Sequence, residues 1–277
     1  PQVAWHAVEI KSYVYKWEVH FIHARKTVKF AGGSRIRIGP YQLEFDSNSQ
    51  LTVQAASNDR LTLRNVDVLH PNKKYPLIRA LSLAVQAGEF MGIIGPSGAG
   101  KSTLLKAIRA IIPIQSGQIS LSDQDTRIHP DSLKEIGFVP QDDVVIPELT
   151  VAENLRFAAR LRLPADWPAA AIEQKVTTLI QAMNLDEQRH NYCGNISGGQ
   201  RKRVNLALEM MLEPTFLLAD EVCSGLSSLD TDNILQHLRR IADSGKGIML
   251  TIHSPDIEAF DLMDTLLVLD TGGFIAY

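Results

Sequence analysis

The run GPSGAGKST, residues 95–103, constrains the fold more than any other stretch of this chain. It fits G-x-x-x-x-G-K-[ST] and lies between a short apolar run, FMGIIG, and a helical pattern with Leu104, Leu105, Ile108, Ile111 and Ile112 on one face. Glycines in such a turn let backbone N–H groups curl around phosphate oxygens, and the helix N-terminus adds positive potential. The candidate nucleotide-binding residues are therefore Gly95, Pro96, Ser97, Gly98, Ala99, Gly100, Lys101, Ser102 and Thr103. Lys101 supplies a point charge for the β and γ phosphates, and Ser102 a hydroxyl ligand for Mg²⁺. Pro113 is expected to stop the helix.

Two textures divide the chain. Residues 34–54, SRIRIGPYQLEFDSNSQLTVQ, alternate apolar and polar positions around turns at Gly39-Pro40 and residues 46–49, which predicts short antiparallel strands. Gly32 and Gly33 mark a further turn. From about Leu61 the pattern becomes strands interleaved with helices, the signature of a mostly parallel sheet. A boundary falls at residues 55–58, giving a β-rich segment over 1–57 and an α/β domain over 58–277. Within the latter, residues 216–219, 248–252 and 266–269 read as strands. Thr150 and Glu153 have capping-box spacing ahead of a helix that ends by Pro164, and residues 164–195 are mainly helical in composition.

FLLADE ends a strand in two carboxylates. Asp220 is placed to hold Mg²⁺, and Glu221 to orient and polarise an attacking water. Ser197 and Gln200 have capping-box spacing at the head of the helix in NISGGQRKRVNLALEMM. Gly198 and Gly199 beside that cap leave the terminus bare, so that a phosphate can approach its N–H groups. Read alone, Gln141 is a loop glutamine and His253 a strand-end histidine.

Taken in order, residues 95–103, Ile196-Ser197-Gly198-Gly199-Gln200 and Asp220-Glu221 resemble the nucleotide-binding domain of ABC transporters. The resemblance spans residues 61–277 and implies a P-loop NTPase fold of the ABC ATPase type with a helical subdomain over about 142–203. It also assigns roles. Gln141, in Val139-Pro140-Gln141, is similar to the Q-loop glutamine that contacts Mg²⁺ and answers to a membrane domain. His253 is similar to the switch histidine that senses the γ-phosphate. The implied catalytic set is Glu221, His253 and Gln141, and the implied metal ligands are Ser102, Gln141 and Asp220. ATP and Mg²⁺ are the implied ligands. Two cassettes would pair head to tail, with Ser197, Gly198, Gly199 and Gln200 serving the nucleotide of a second copy.

PQDD, ELTVAENLRFAARLRLP, ISGGQRKRV and HSPDIEAFDLMDTLLVLDTGG look most like the G subfamily (White, pigment type) and its bacterial relatives. That resemblance implies an exporter-type transmembrane domain following on the same chain, and a place on the cytoplasmic side of the cell membrane. GSRIRIGPYQLEFD looks like the last strands of a forkhead-associated (FHA) domain, without clear phosphothreonine-binding motifs; His23, Ala24 and Arg25 are too short a match. Aligned on Gly88, the position that stacks on adenine falls near His70, with Tyr75 closer to the cradle. The usual aspartate after Ser224-Gly225-Leu226 is replaced by Ser227, which keeps a hydrogen-bonding group and removes a charge. An active ATPase with altered communication between its two sites is expected, and a regulatory FHA-linked nucleotide sensor with little turnover is the alternative.

A net charge of −3 gives no reason to expect nucleic acid. Two cysteines, Cys193 and Cys223, are too few for a disulfide framework, and neither suggests redox work. No apolar run approaches the roughly 18 residues of a membrane span. The chain opens at Pro1, so it is read as a piece of a longer protein. Arg201, Lys202 and Arg203 are expected to be a solvated helix face, and Asp142 and Asp143 a solvated loop.

Overall fold

Consecutive residues of the central strands feed two different cores, and that alternation sets the layers of the domain. The structure, a computed structural model, describes six strands within the first 58 residues and then residues 59–277, apart from 70–74, 128, 254, 256 and 277. The backbone falls into two units, Pro1–Asn58 and Asp59–Tyr277.

In the first unit, β1 (Val8–Tyr13), β2 (Lys16–Phe21) and β3 (Lys26–Phe30) form one antiparallel sheet, and β4 (Arg35–Ile38), β5 (Tyr41–Phe45) and β6 (Leu51–Ala55) another. The second sheet matches the alternation over residues 34–54. The first goes beyond it, although VEIKSY, KWEVHF and KTVKF carry the same period of two. The expected turns at Gly32-Gly33, Gly39-Pro40 and residues 46–49 lie outside the described residues, as do His23, Ala24 and Arg25.

The second unit holds two sheets. β7 (Arg60–Leu69), β8 (Pro76–Gln86), β10 (Ser116–Leu121) and β11 (Gln124–Asp125) make an antiparallel sheet in the order β11-β10-β7-β8. The expectation of a mostly parallel sheet from Leu61 onward is corrected here. β7 and β8 pair directly with each other because only the chain between residues 70 and 75 joins them, too short for a parallel crossover. The second sheet is parallel, with β12 (Ile136–Val139), β13 (Phe216–Asp220), β14 (Gly247–Thr251), β9 (Phe90–Ile94) and β15 (Thr265–Asp270) side by side in that order, and β16 (Phe274–Ile275) closing it antiparallel.

Phe216, Leu218, Met249, Met91 and Ile93 point into a core shared with α1 (Lys101–Ile108) and the antiparallel sheet. Their neighbours Leu217, Ala219, Ile248, Leu250 and Phe90 point into the other, shared with α2 (Val151–Arg162), α3 (Ala169–Ala182), α4 (Gly198–Met210), α5 (Ser228–Asp243) and α6 (Ile257–Asp261). All of β13 is buried, which is why it reads as an unbroken apolar run. No helix among the described residues is long and apolar enough to cross a membrane.

Helix ends follow local chemistry. Both capping boxes form: Thr150 accepts from the Glu153 N–H and Ser197 from the Gln200 N–H, each with the reciprocal bond. α1 does not run to Pro113. It ends at Ile108, and Ala110 just beyond it takes φ 58°. The Ala110 N–H bonds to the Ala107 carbonyl and the Ile111 N–H to the Lys106 carbonyl, which satisfies the last carbonyls of the helix. Ile111 is consequently exposed rather than on the apolar face.

On α5, His237 lies among Ile234, Leu238 and Ile241 and is 4% exposed. Burial, with Arg203 and Arg240 adding repulsion, pushes its pKa down to about 4. Below pH 6.5 the unfolded chain binds a proton that the folded chain refuses, so stability is present above that pH and is lost as pH falls toward 4. Urea melts should lose about 2–3 kcal/mol across this window, and His237→Leu should flatten that part of the profile. An unchanged slope in the variant would show that His237 does not carry the effect.

Candidate functional site

Because β12, β13, β14 and β9 run parallel, their C-terminal ends open at one edge of the sheet, where ligands bind in open α/β folds. The four segments that follow them carry Gln141, Glu221, His253 and the GPSGAGKST loop.

The loop turns into α1 at Gly100, which has φ 97°. A Cβ there would stand 2.5 Å from the Leu77 carbonyl oxygen, so this N-cap admits only glycine. α1 has no side-chain cap and no acidic residue in its first turn, leaving its positive end uncompensated. Lys101 is 4% exposed and folds back across the loop, its Nζ donating to the carbonyls of Gly95 at 2.9 Å and Pro96 at 3.2 Å. Ser97, Gly98, Gly100, Lys101, Ser102 and Thr103 line a pocket of about 210 Å³ with Leu77, Glu221 and His253. Ala99 is fully buried behind the loop.

Asp220, 2% exposed at the end of β13, accepts hydrogen bonds from Ser102 Oγ and Thr251 Oγ1, both at 2.8 Å. Thr251 Oγ1 also accepts the Glu221 N–H at 2.8 Å. Glu221 has φ 47°, a strained backbone for a residue with a Cβ, and it turns the side chain out of the strand direction into the pocket. One Glu221 oxygen accepts from Gln141 Nε2 at 3.0 Å, and the other lies 3.2 Å from His253 Nε2. Sequence reasoning missed Thr251. Its signal was its place at the end of β14, two residues before His253 in TIHSP.

Ser197, Gly198, Gly199 and Gln200 do not line this pocket. Ser197 caps α4, and the expected bareness of that terminus is only partly seen. A Cβ on Gly199 would lie 2.4 Å from Asp230 Oδ1, and one on Gly198 3.2 Å from Leu226 Cδ2. At least one of the two glycines is thus demanded by packing within the chain. Ser227 turns out to be the N-cap of α5, accepting from the Asp230 N–H at 3.2 Å and donating to Asp230 Oδ2 at 3.0 Å. Asp230, too distant along the chain to replace an aspartate at 227, is brought to both Ser227 and Gly199.

The expectation of a solvated helix face at Arg201 and Lys202 is overturned, whereas the loop at Asp142 and Asp143 is exposed as expected. Lys202 is 7% exposed, not on a solvated face, and Arg201 is partly buried. The Asp143 carboxylate is nonetheless bound by Lys202 Nζ at 2.9 Å, Arg201 Nε at 3.1 Å and Asn205 Nδ2 at 2.8 Å. Burial raises the Asp143 pKa, but the hydrogen bonds and charges of Lys202 and Arg201 outweigh it and hold it below the ordinary carboxylate range. Burial pushes the thiols of Cys193 and Cys223 up to about 11 and about 12, so both stay protonated and inert. Tyr75 does not line the pocket, whereas Leu77 does; His70 lies outside the described residues.

Thr251→Val removes the hydroxyl without opening a cavity, leaving Asp220 with one donor fewer and the Glu221 N–H without its acceptor. Denaturant unfolding should show a loss of about 2–4 kcal/mol, and ATP turnover should fall with it. A variant as stable as the parent would show that the hydroxyl does not organise this edge.

A profile described as ABC transporter matches residues 78–224. The chain is 39% identical over 224 residues to ABC transporter G family member 28 of Arabidopsis thaliana, covering 78% of this chain and 20% of that protein. It is 32% identical over 248 residues to G family member 25 of the same plant, covering 84% of this chain and 38% of the relative. It is 35% identical over 202 residues to the ABC transporter ATP-binding/permease protein Rv1747 of Mycobacterium tuberculosis, covering 73% and 23%. The chain thus spans between a fifth and two fifths of the length of these relatives. A solved structure described as the dimeric structure of MJ0796, a bacterial ABC transporter cassette, superposes with a TM-score of 0.68 at 25% identity, over 78% of this chain and 97% of that one. The parallel sheet with its phosphate loop and paired carboxylates is that of a P-loop NTPase, and the chain belongs to the ABC transporter family, carries its ATPase domain, and lies close to the plant G-family (white-brown complex) members.

Proposed function

We propose that this chain is the engine of an exporter, hydrolysing Mg·ATP between two head-to-tail copies. The observation that carries the reading is the seat of Glu221, held between Gln141 and His253 over the pocket that Lys101 and Ser102 line. ATP phosphates entering the loop would take Lys101 from the Gly95 and Pro96 carbonyls. Water attacks the γ-phosphorus as the bond to the ADP oxygen breaks; Glu221 orients that water and takes its proton, and His253 follows the γ-phosphate.

Mg²⁺ fits the residues present. Ser102 Oγ and Asp220 Oδ1 lie together, and Gln141 brings an amide oxygen to the same edge, an all-oxygen set that suits a hard cation. Ser102, Gln141 and Asp220 would hold it, and it would neutralise charge on the β and γ phosphates.

Ser197, Gly198, Gly199 and Gln200 lie away from their own pocket, which fits a role toward the nucleotide of a second copy. The dimeric cassette among the structural neighbours supports that pairing. Residues 142–203, with α2, α3 and the head of α4, would be the subdomain that grips an exporter-type transmembrane domain on the same full-length chain, at the cytoplasmic face of the membrane. The β-rich segment over 1–57 would be the end of an FHA domain; its resemblance to that fold supports this reading. A sensor with little turnover is the second reading, favoured by Ser227 in place of the usual aspartate.

Specific ATPase activity should rise with protein concentration, and Glu221→Gln should lose it by about 100-fold or more while still binding ATP. A parent as silent as the variant, in this chain and in a longer one with the membrane domain, would favour the sensor. Ser227→Asp keeps the cap and adds a charge at the proposed seam, so cooperativity or turnover should change. A variant with the parent's Hill coefficient and kcat would show that the serine is only a cap.

A further inference from the structure

The phosphate loop is seated on the β15–β16 hairpin at both of its ends. At the first end, Gly95 lies so close to the Leu269 carbonyl at the end of β15 that a Cβ would overlap its oxygen. At the other end, Gly100 lies against the Leu77 carbonyl. That carbonyl has a second glycine against it. A Cβ on Gly273, in the turn between β15 and β16, would stand 2.5 Å from the Leu77 carbonyl carbon, 2.6 Å from Ile78 Cα, and closer still to the Leu77 oxygen. The Leu77–Ile78 peptide thus touches the hinge of the phosphate loop and the turn of the hairpin at once.

Further contacts hold the hairpin to β8. The Arg79 N–H donates to the Gly273 carbonyl at 2.9 Å, and the Arg79 guanidinium lies over the Phe274 ring, 4.8 Å from its centre. Within the hairpin the Ala276 N–H donates to the Val268 carbonyl at 2.8 Å. Gly272 and Gly273 both take a left-handed backbone, with φ 87° and 78°, which closing the turn requires. The two differ in surroundings. Gly272 is exposed, and a Cβ there would meet only the neighbouring Phe274 ring, at 3.5 Å. Gly273 is buried, and the space of its missing side chain is filled by the segment that carries Leu77 into the nucleotide pocket.

We propose that Gly273 is a positioning residue of the nucleotide site: through the Leu77 peptide it fixes Gly100, and with it the N–H groups at the head of α1 that receive the phosphates. A side chain at 273 would force the Leu77 carbonyl to retreat by about 1 Å to restore van der Waals distance, and Gly100 would lose its seat. Hydrogen bonds to phosphate do not survive a shift of that size at full strength. The effect falls on grip rather than on chemistry, because Gln141, Glu221 and His253 follow β12, β13 and β14, not the hairpin. The proposal rests on the loop's binding of ATP phosphates and is independent of the pairing of two copies.

The test is calorimetric titration of the parent, Gly272→Ala and Gly273→Ala with Mg·ATP and Mg·ADP, each below its melting temperature. Both substitutions place alanine at a left-handed φ, so both lower the melting temperature. Only Gly273→Ala sets a Cβ against Leu77. Its Kd for both nucleotides should rise about tenfold, the loss of one hydrogen bond to a charged group, while Gly272→Ala stays within about twofold of the parent. In steady-state hydrolysis KM should rise with Kd, and kcat should stay within about twofold. Phe274→Ala, at a half-exposed position, removes the ring beneath Arg79 without adding bulk and should raise Kd about threefold. It decides the question if Gly273→Ala does not fold. Equal losses of affinity in the two alanine variants, a parent-like Kd in Gly273→Ala or Phe274→Ala, or a fall in kcat at unchanged KM would each overturn the proposal. A parent that binds neither nucleotide would overturn the reading of the loop itself and this proposal with it.

Discussion

A single buried carboxylate organises the reactive edge of this domain. Asp220 is held by hydroxyls from two different elements, Ser102 at the head of α1 and Thr251 at the end of β14. Burying a carboxyl group among apolar strands is unfavourable unless it is hydrogen-bonded, and both hydroxyls donate to its Oδ1. Through them the phosphate loop, the central strand and its neighbour are locked to a common origin. Thr251 then receives the Glu221 N–H, and that backbone bond accompanies the strained φ that turns Glu221 toward the pocket. The geometry of this edge grows outward from that one buried group.

The head of α4 is set by a different balance. Its capping box satisfies the Ser197 and Gln200 N–H groups within the helix itself, and its first turn is squeezed against α5, where Asp230 occupies the space that a side chain on Gly199 would need. On another side the charges of Arg201 and Lys202 are drawn inward by Asp143. The head of α4 therefore answers to α5 through packing and to the Gln141 loop through charge.

The site was largely legible in the sequence because its chemistry is local. GPSGAGKST carries the turn, the cation and the hydroxyl within nine residues, and capping boxes are decided by residues three apart. What was illegible depended on pairing between distant segments. Thr251 looked like an ordinary strand residue until β14 lay beside β13. Arg201 and Lys202 looked like a solvated face because a helical wheel does not show the loop that covers it. The end of α1 was misplaced because Pro113 is a conspicuous stop, whereas the helix stopped earlier through an αL residue, Ala110, whose identity does not announce that role.

The sequence by itself determined that phosphate would be bound at a strand–loop–helix turn, that two carboxylates would follow a buried strand, and that a capped helix with exposed-looking glycines would start at Ser197. Each depends on backbone conformations and hydrogen bonds that neighbouring residues settle among themselves. Only the tertiary structure decided that Gln141, Glu221 and His253 meet, that β7 and β8 form an antiparallel sheet, and that Asp143 clasps α4. Those outcomes rest on strand order and on the burial of charge, and neither can be settled until segments far apart in the chain have excluded water from between them.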